Sequence, residues 1–231
     1  MARITRKELK ADKFALEVEQ TVDFFEEHGS ELVRYGGVAL ALVAVILAYM
    51  WYRGHESTVR EEALGKAMAV EEAMIGQGPP GALTFPSQDA KDKEATKAFG
   101  ELASKYSGTD EGYIAEYTLG SIAAGQGKLS EAQKHFEVVA DKANKQYSSL
   151  AKLSLGQIYF AEGKNDLGEK TLRSLMEHPT VFVSKEQATI TLAKMLAPTK
   201  PAEARKLLEP LRAVPGSISQ TAIQAYSELP Q

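Results

Sequence analysis

The chain has 231 residues, with 27 Lys and Arg against 31 Asp and Glu and a formal net charge of -4. That length suits one medium-sized domain plus an anchor, and the lack of a basic excess removes the field that phosphate binding and counterion release require, which argues against nucleic acid as a partner. With no Cys in the chain, disulfide frameworks, thiol nucleophiles and Cys-based zinc sites fall away together, while the redox compartment stays open.

The first segment, residues 1–34, is a charged arm whose two halves oppose each other. Arg3, Arg6, Lys7, Lys10 and Lys13 make the start basic, whereas residues 14–31 carry Glu17, Glu19, Asp23, Glu26, Glu27 and Glu31 and no Lys or Arg. Phe14, Val18, Val22 and Phe25 fall at helical spacing, which predicts a short amphipathic helix. His28-Gly29-Ser30 then offers a stop and a fresh N-cap. Such a helix could lie on a membrane surface or dock on a basic membrane partner, and its acidic polar face is repelled by anionic lipid.

From Tyr35 to Tyr52 there is no charged residue, and Val, Ala, Leu and Ile dominate. At 1.5 Å per residue this run is roughly 27 Å long, close to the hydrocarbon thickness of a bilayer. Arg34 and Arg53 close the ends, with Tyr35 at one boundary and Tyr49, Trp51 and Tyr52 at the other, where amphipathic rings sit well. A buried core helix and a cleaved signal peptide are the rivals. The second is opposed by the late start of the apolar run and by the bulky Tyr49-Met50-Trp51-Tyr52 where a peptidase needs small residues. An uncleaved anchor over 35–52 is expected. Six Lys and Arg precede the run but only Arg34 lies close to it, while Arg53, Arg60 and Lys66 follow it, so charge does not set its orientation.

Residues 53–231 are rich in Ala, Leu, Glu and Lys at helical periodicity, without an alternating strand pattern, so an all-α domain is expected. Ala115, Leu119, Gly120, Ile122, Gly127 and Lys128 recur about 36 residues later as Ala151, Leu155, Gly156, Ile158, Gly163 and Lys164, a period of the kind that marks a helical solenoid. Phe136 and Val139 map onto Leu172 and Leu175 at the same offset. Small residues at Gly120 and Gly156 would admit a neighbouring helix, and Gly127-Lys128 and Gly163-Lys164 would make the turns. Units are expected near 56–106, 113–144, 148–178 and 184–212, with a capping helix over 217–229. The first would run from Leu64-Gly65 to Ala95 and Phe99, its turn replaced by a Pro- and Gly-rich loop, Gly76 to Asp89, that carries Phe85.

These positions resemble the tetratricopeptide pattern. Leu119-Gly120, Ala132 and Phe136 match it well, Leu155-Gly156 and Tyr159 match, and Gly168 and Leu172 depart from the preferred Ala and aromatic. Leu192-Ala193, Ala204 and Leu208 give a shifted unit interrupted by Pro198 and Pro201. The whole layout, with Phe24-Phe25 in the arm, Gly36-Gly37 opening the anchor and divergent repeats after it, is similar to the YfgM-like family of ancillary Sec translocon subunits. That resemblance implies a bacterial inner membrane protein with a cytoplasmic N-terminus and a periplasmic repeat domain. It implies partners among translocon subunits, periplasmic chaperones or secreted clients, and no enzyme.

The residues themselves hold little chemistry. His28, His55, His135 and His178 form no zinc-type pair, and no Gly-x-Ser-x-Gly, P-loop or Gly-x-Gly-x-x-Gly occurs. No catalytic residue, cofactor or metal is expected, and His135 reads as a surface residue. What remains is recognition. The first helix of each hairpin would line a concave surface, with Tyr117, Ser121, Leu153, Gln157, Phe160 and Lys194 facing it as peptide or partner contacts. Tyr117, Leu153 and Phe160 could instead pack between repeats. A membrane-tethered interaction module is therefore expected, the alternative being a structural scaffold subunit of another membrane complex.

Overall fold

The computed structural model describes the backbone of residues 6–230 and the side chains of 34–52 and 54–230. The chain divides into two compact units, Met1–Val59 and Arg60–Gln231.

Helix α1, Arg6–Glu71, makes up the described part of the first unit, and its last turns enter the second. It runs unbroken through His28-Gly29-Ser30, where the sequence predicts a stop. One Gly weakens a helix by about 1 kcal/mol without removing an N–H, and Ser caps only where the backbone has already left helical geometry. The stripe of Phe14, Val18, Val22 and Phe25, and the Phe24-Phe25 pair, lie outside the residues whose side chains are described. From Tyr35 to Tyr52 every side chain is exposed, Trp51 at 74% and Leu40 at 71% among them. A core helix would bury one face, which this stretch does not, and the helix is long and apolar enough to cross a membrane.

The second unit is a row of helical hairpins: α2 Gln88–Lys105, α3 Asp110–Gly125, α4 Leu129–Lys142, α5 Lys145–Ala161, α6 Asn165–Glu177, α7 Lys185–Leu196, α8 Pro201–Leu208 and α9 Ser217–Ser227. Each helix packs mainly on its neighbours in sequence, with additional α3–α5, α5–α7 and α7–α9 contacts. Three apolar clusters follow one another along the row. Ala67, Ala95, Phe99, Leu102 and Leu119 form the first. Ala132, Phe136, Val139, Leu155 and Tyr159 form the second, and Leu172, Leu192, Leu196, Leu208 and Ala222 belong to the third. Fully burying a Phe or Leu side chain stabilises by about 1.5–3 kcal/mol, so each hairpin depends on the next to cover its face.

The small residues expected at the helix contacts are where the sequence puts them in two units. A Cβ built on Gly120 would stand 2.8 Å from Phe136 Cε1, and one on Gly156 would stand 2.7 Å from Leu172 Cδ2. In the first unit the register differs. Gly65 is exposed with open space around it, and the buried small residue is Ala67. The connection there is not a tight turn but a loop holding a two-residue parallel pairing, β1 Met74–Ile75 with β2 Thr84–Phe85. A run this short carries no period for the sequence to reveal.

The candidate partner-binding groove

Helices α3, α5 and α7 stand side by side as the first members of successive hairpins, and their starts are fixed by side-chain caps. Thr109 accepts from Gly112 N, Asn144 Oδ1 from Gln146 N and Tyr147 N, and Ser184 from Gln187 N, each satisfying N–H groups the helix cannot. Helices α4, α6 and α8 begin on Lys128, Lys164 and Lys200 with no side-chain cap. For α4 and α6, the preceding turn holds the chain instead. Lys128 N donates to Ala123 O and Gly127 N to Ala124 O, and Lys164 N to Tyr159 O and Gly163 N to Phe160 O. With Gly127 at φ 74° and Gly163 at φ 77°, both are Schellman turns.

On the face shared by α3, α5, α7 and α9 lie three depressions. The first, about 320 Å³, is bordered by Ser121, Ala124, Phe136, Ser154 and Gln157. The second, about 580 Å³, lies beside Gln157, Phe160, Lys194, Met195 and Pro198. The third, about 450 Å³, is bordered by Gln157, Ile190, Lys194, Ser217, Ile218 and Thr221. Gln157 lines all three, and Lys194 and Met195 line the last two, so the depressions adjoin along one grooved face.

Of the residues expected on this surface, Ser121, Gln157, Phe160 and Lys194 line the groove. Tyr117 stands beside it. Its ring packs on Phe136 at 5.3 Å between centroids and its hydroxyl is 3.3 Å from Ser154 Oγ, so it ties α3 to α5. Phe160 is half-buried and shares its ring with Gly168, whose built Cβ would meet Phe160 Cδ2 at 2.6 Å. Leu153 does not face the groove. It is buried in the cluster with Leu172, Leu192 and Leu196, because α5 is covered by neighbours on most of its circumference. Ile190, Thr191, Met195 and the α9 residues Ser217, Ile218 and Thr221 were not legible as groove residues, since the last helix reads as a cap and not as a wall.

The groove differs electrostatically from the rest of the unit. Lys194 is the sole charged residue lining the three depressions, and it has no ion-pair partner among the described residues. A cluster of paired charges lies on α6 and α8. Glu169 takes hydrogen bonds from Lys200 and Arg173, which hold its carboxyl below the usual carboxylate range, and Arg173 and Lys200 are raised by Glu169 in return. Arg173 also reaches Glu203 on α8. His135 is half-buried, not a free surface residue, with Nδ1 2.7 Å from Glu116 Oε2. Among the described residues no group of His, Asp and Glu is arranged to hold a metal ion.

Stacked helical hairpins with a groove along their first helices define an α-solenoid, a class whose concave surfaces bind other proteins. The model of the tetratricopeptide repeat-like domain matches residues 23–209. The chain belongs to this family, and the matched region takes in the apolar stretch as well as the repeats. No match is found among curated proteins or among solved structures.

Proposed function

We propose that this is a membrane-tethered protein-interaction module, held by residues 35–52 in a bacterial inner membrane with residues 1–34 in the cytoplasm and the repeat domain of 53–231 in the periplasm. There it links the Sec translocon to periplasmic chaperones or secreted clients. The observation that supports this best is the run of adjoining depressions over α3, α5, α7 and α9, lined by apolar and polar side chains with Lys194 the sole charge, on a chain that carries an exposed apolar helix of membrane-spanning length. The translocon, the orientation and the compartment come from the resemblance to the YfgM-like layout. In this reading the acidic half of the arm makes the translocon contact.

The test is site-specific photocrosslinking of the full-length protein in its native membrane. Probes at Gln157 and Met195, in the groove, are compared with one at Lys170, which is exposed on α6 outside it. Groove-specific crosslinks to chaperones or secreted clients are expected, together with co-purified translocon subunits that are lost on deleting residues 1–31. Recovery of one unrelated complex at fixed ratio, with no translocon, would overturn the assignment in favour of a scaffold subunit.

A further inference from the structure

We infer that Lys194 is a specificity residue: the groove takes a polypeptide segment that is otherwise uncharged and pairs this ammonium with one acidic side chain inside the segment. The inference rests on the groove reading above and adds the chemistry of its occupant. A quarter of the chain's residues are charged, yet Lys194 is the one charge lining the three depressions. The remaining polar lining is neutral, with Gln157, Gln187, Thr191, Asn165 and Thr221 among it. Such groups serve backbone amides of any sequence, while Ile190, Met195 and Ile218 offer apolar contact. These neutral groups can hydrogen-bond a charged side chain but cannot balance its charge, so a charge elsewhere in the groove gains less than a carboxylate beside Lys194.

At Lys194 the situation reverses. A carboxylate gains a charge-assisted hydrogen bond there, while a Lys or Arg of the occupant meets a like charge with no acidic lining residue to offset it. The position also selects the source of the carboxylate. Lys194 borders both the second and the third depression, so the groove continues on either side of it. A bound segment therefore passes Lys194 and does not end there, which favours an internal Asp or Glu over a chain terminus.

The experiment uses the full-length protein in lipid nanodiscs and fluorescein-labelled peptides of Leu, Val, Ala and Ser, amidated at the C-terminus, with a single central Glu, Gln or Lys. A fourth peptide carries the central Gln and a free C-terminal carboxylate. Fluorescence anisotropy is expected to rank Glu over Gln over Lys, with about threefold between steps, the scale of a partly exposed ion pair. Added salt should compress the ranking. Lys194→Met should erase it and Lys194→Glu should invert it, both variants folding normally because the side chain is exposed and unpaired. Equal binding of the three amidated peptides, or a ranking that survives Lys194→Met, overturns the role of Lys194 and leaves the groove standing. Preference for the free carboxylate over the central Glu overturns the internal source. No binding by any peptide takes the groove reading down as well.

Discussion

Leu172 is fully buried, and both its Cδ2 and its Cγ lie 2.7 Å from where a Cβ on Gly156 would be. No flexible end is available to move aside, so Gly156→Ala is expected to cost about 1–3 kcal/mol through overpacking, more than the helix propensity it gains. Gly120→Ala meets the buried Phe136 ring at 2.8 Å and should behave alike. Gly65→Ala supplies the contrast, since nothing lies within 4 Å of its Cβ. There the same change should stabilise by about 0.5–1 kcal/mol. Urea denaturation of the full chain separates the three; a neutral Gly156→Ala would mean that the α5–α6 contact relaxes freely. The importance of Gly120 and Gly156 is readable from the repeat, because identical residues recur at a fixed offset. Phe160 and Gly168 show where reading stops: the small residue at 168 departs from the family pattern, and only the fold reveals that a ring from α5 fills the space.

At the level of helices, two of the hairpin turns follow one design and a third does not. Gly127 and Gly163 sit in left-handed backbone geometry, which costs about 1–2 kcal/mol for a residue with a Cβ. Gly163→Ala should therefore destabilise the α5–α6 hairpin by about that much, read as a lowered denaturation midpoint. The α7–α8 turn has Pro198 and Pro201 and no Gly, and closes with Lys200 N donating to Leu196 O at 2.7 Å. Across this turn α6 and α8 are joined by Glu169, which Lys200 meets at 2.8 Å and Arg173 at 2.8 Å. The carboxyl of Glu169 is lowered in the folded state, so its contribution is present above the ordinary Glu pKa of about 4.3 and is lost as pH falls through the folded value. Lys200 is raised, so on the alkaline side its contribution is present below about 10.4 and is lost as pH rises through its folded value. Both cations are substantially exposed, so solvent screening keeps the effect small. Glu169→Gln should thus lower stability at neutral pH, and its difference from the native chain should shrink below about pH 4.3. A difference independent of pH would show that the pairing is not the cause. Helical periodicity and the Gly-Lys turns make the hairpins legible in the sequence. The Glu169 network, the β1–β2 pairing and the unbroken path of α1 through Gly29 are not, because each depends on partners or neighbours that local residue patterns do not name.

For the molecule as a whole, the absence of Cys makes topology directly testable. A single Lys170→Cys in the repeat domain should react with a membrane-impermeant maleimide in spheroplasts, and labelling only after lysis would reverse the proposed orientation. Val43→Arg, near the middle of the apolar run, should weaken membrane integration by about 2.5–3.5 kcal/mol, measured as loss from the carbonate-resistant membrane fraction. The repeat domain poses a different question, because its stability is distributed along a row of nearest-neighbour contacts and not gathered in one core. Ala222, Ala225 and Leu229 close the last cluster, Ile218 packs against its edge, and Ile218 and Thr221 also wall the groove. One helix thus serves both stability and recognition. Truncation after Ala213 should uncover Leu192, Leu196 and Leu208 and strip hydrogen-exchange protection from α7 and α8 first, leaving α3 to α6 closer to their native protection. If protection were instead lost evenly over the whole row, the repeats would be one cooperative unit. The groove would then depend on every hairpin at once rather than on the three helices that line its Lys194 end.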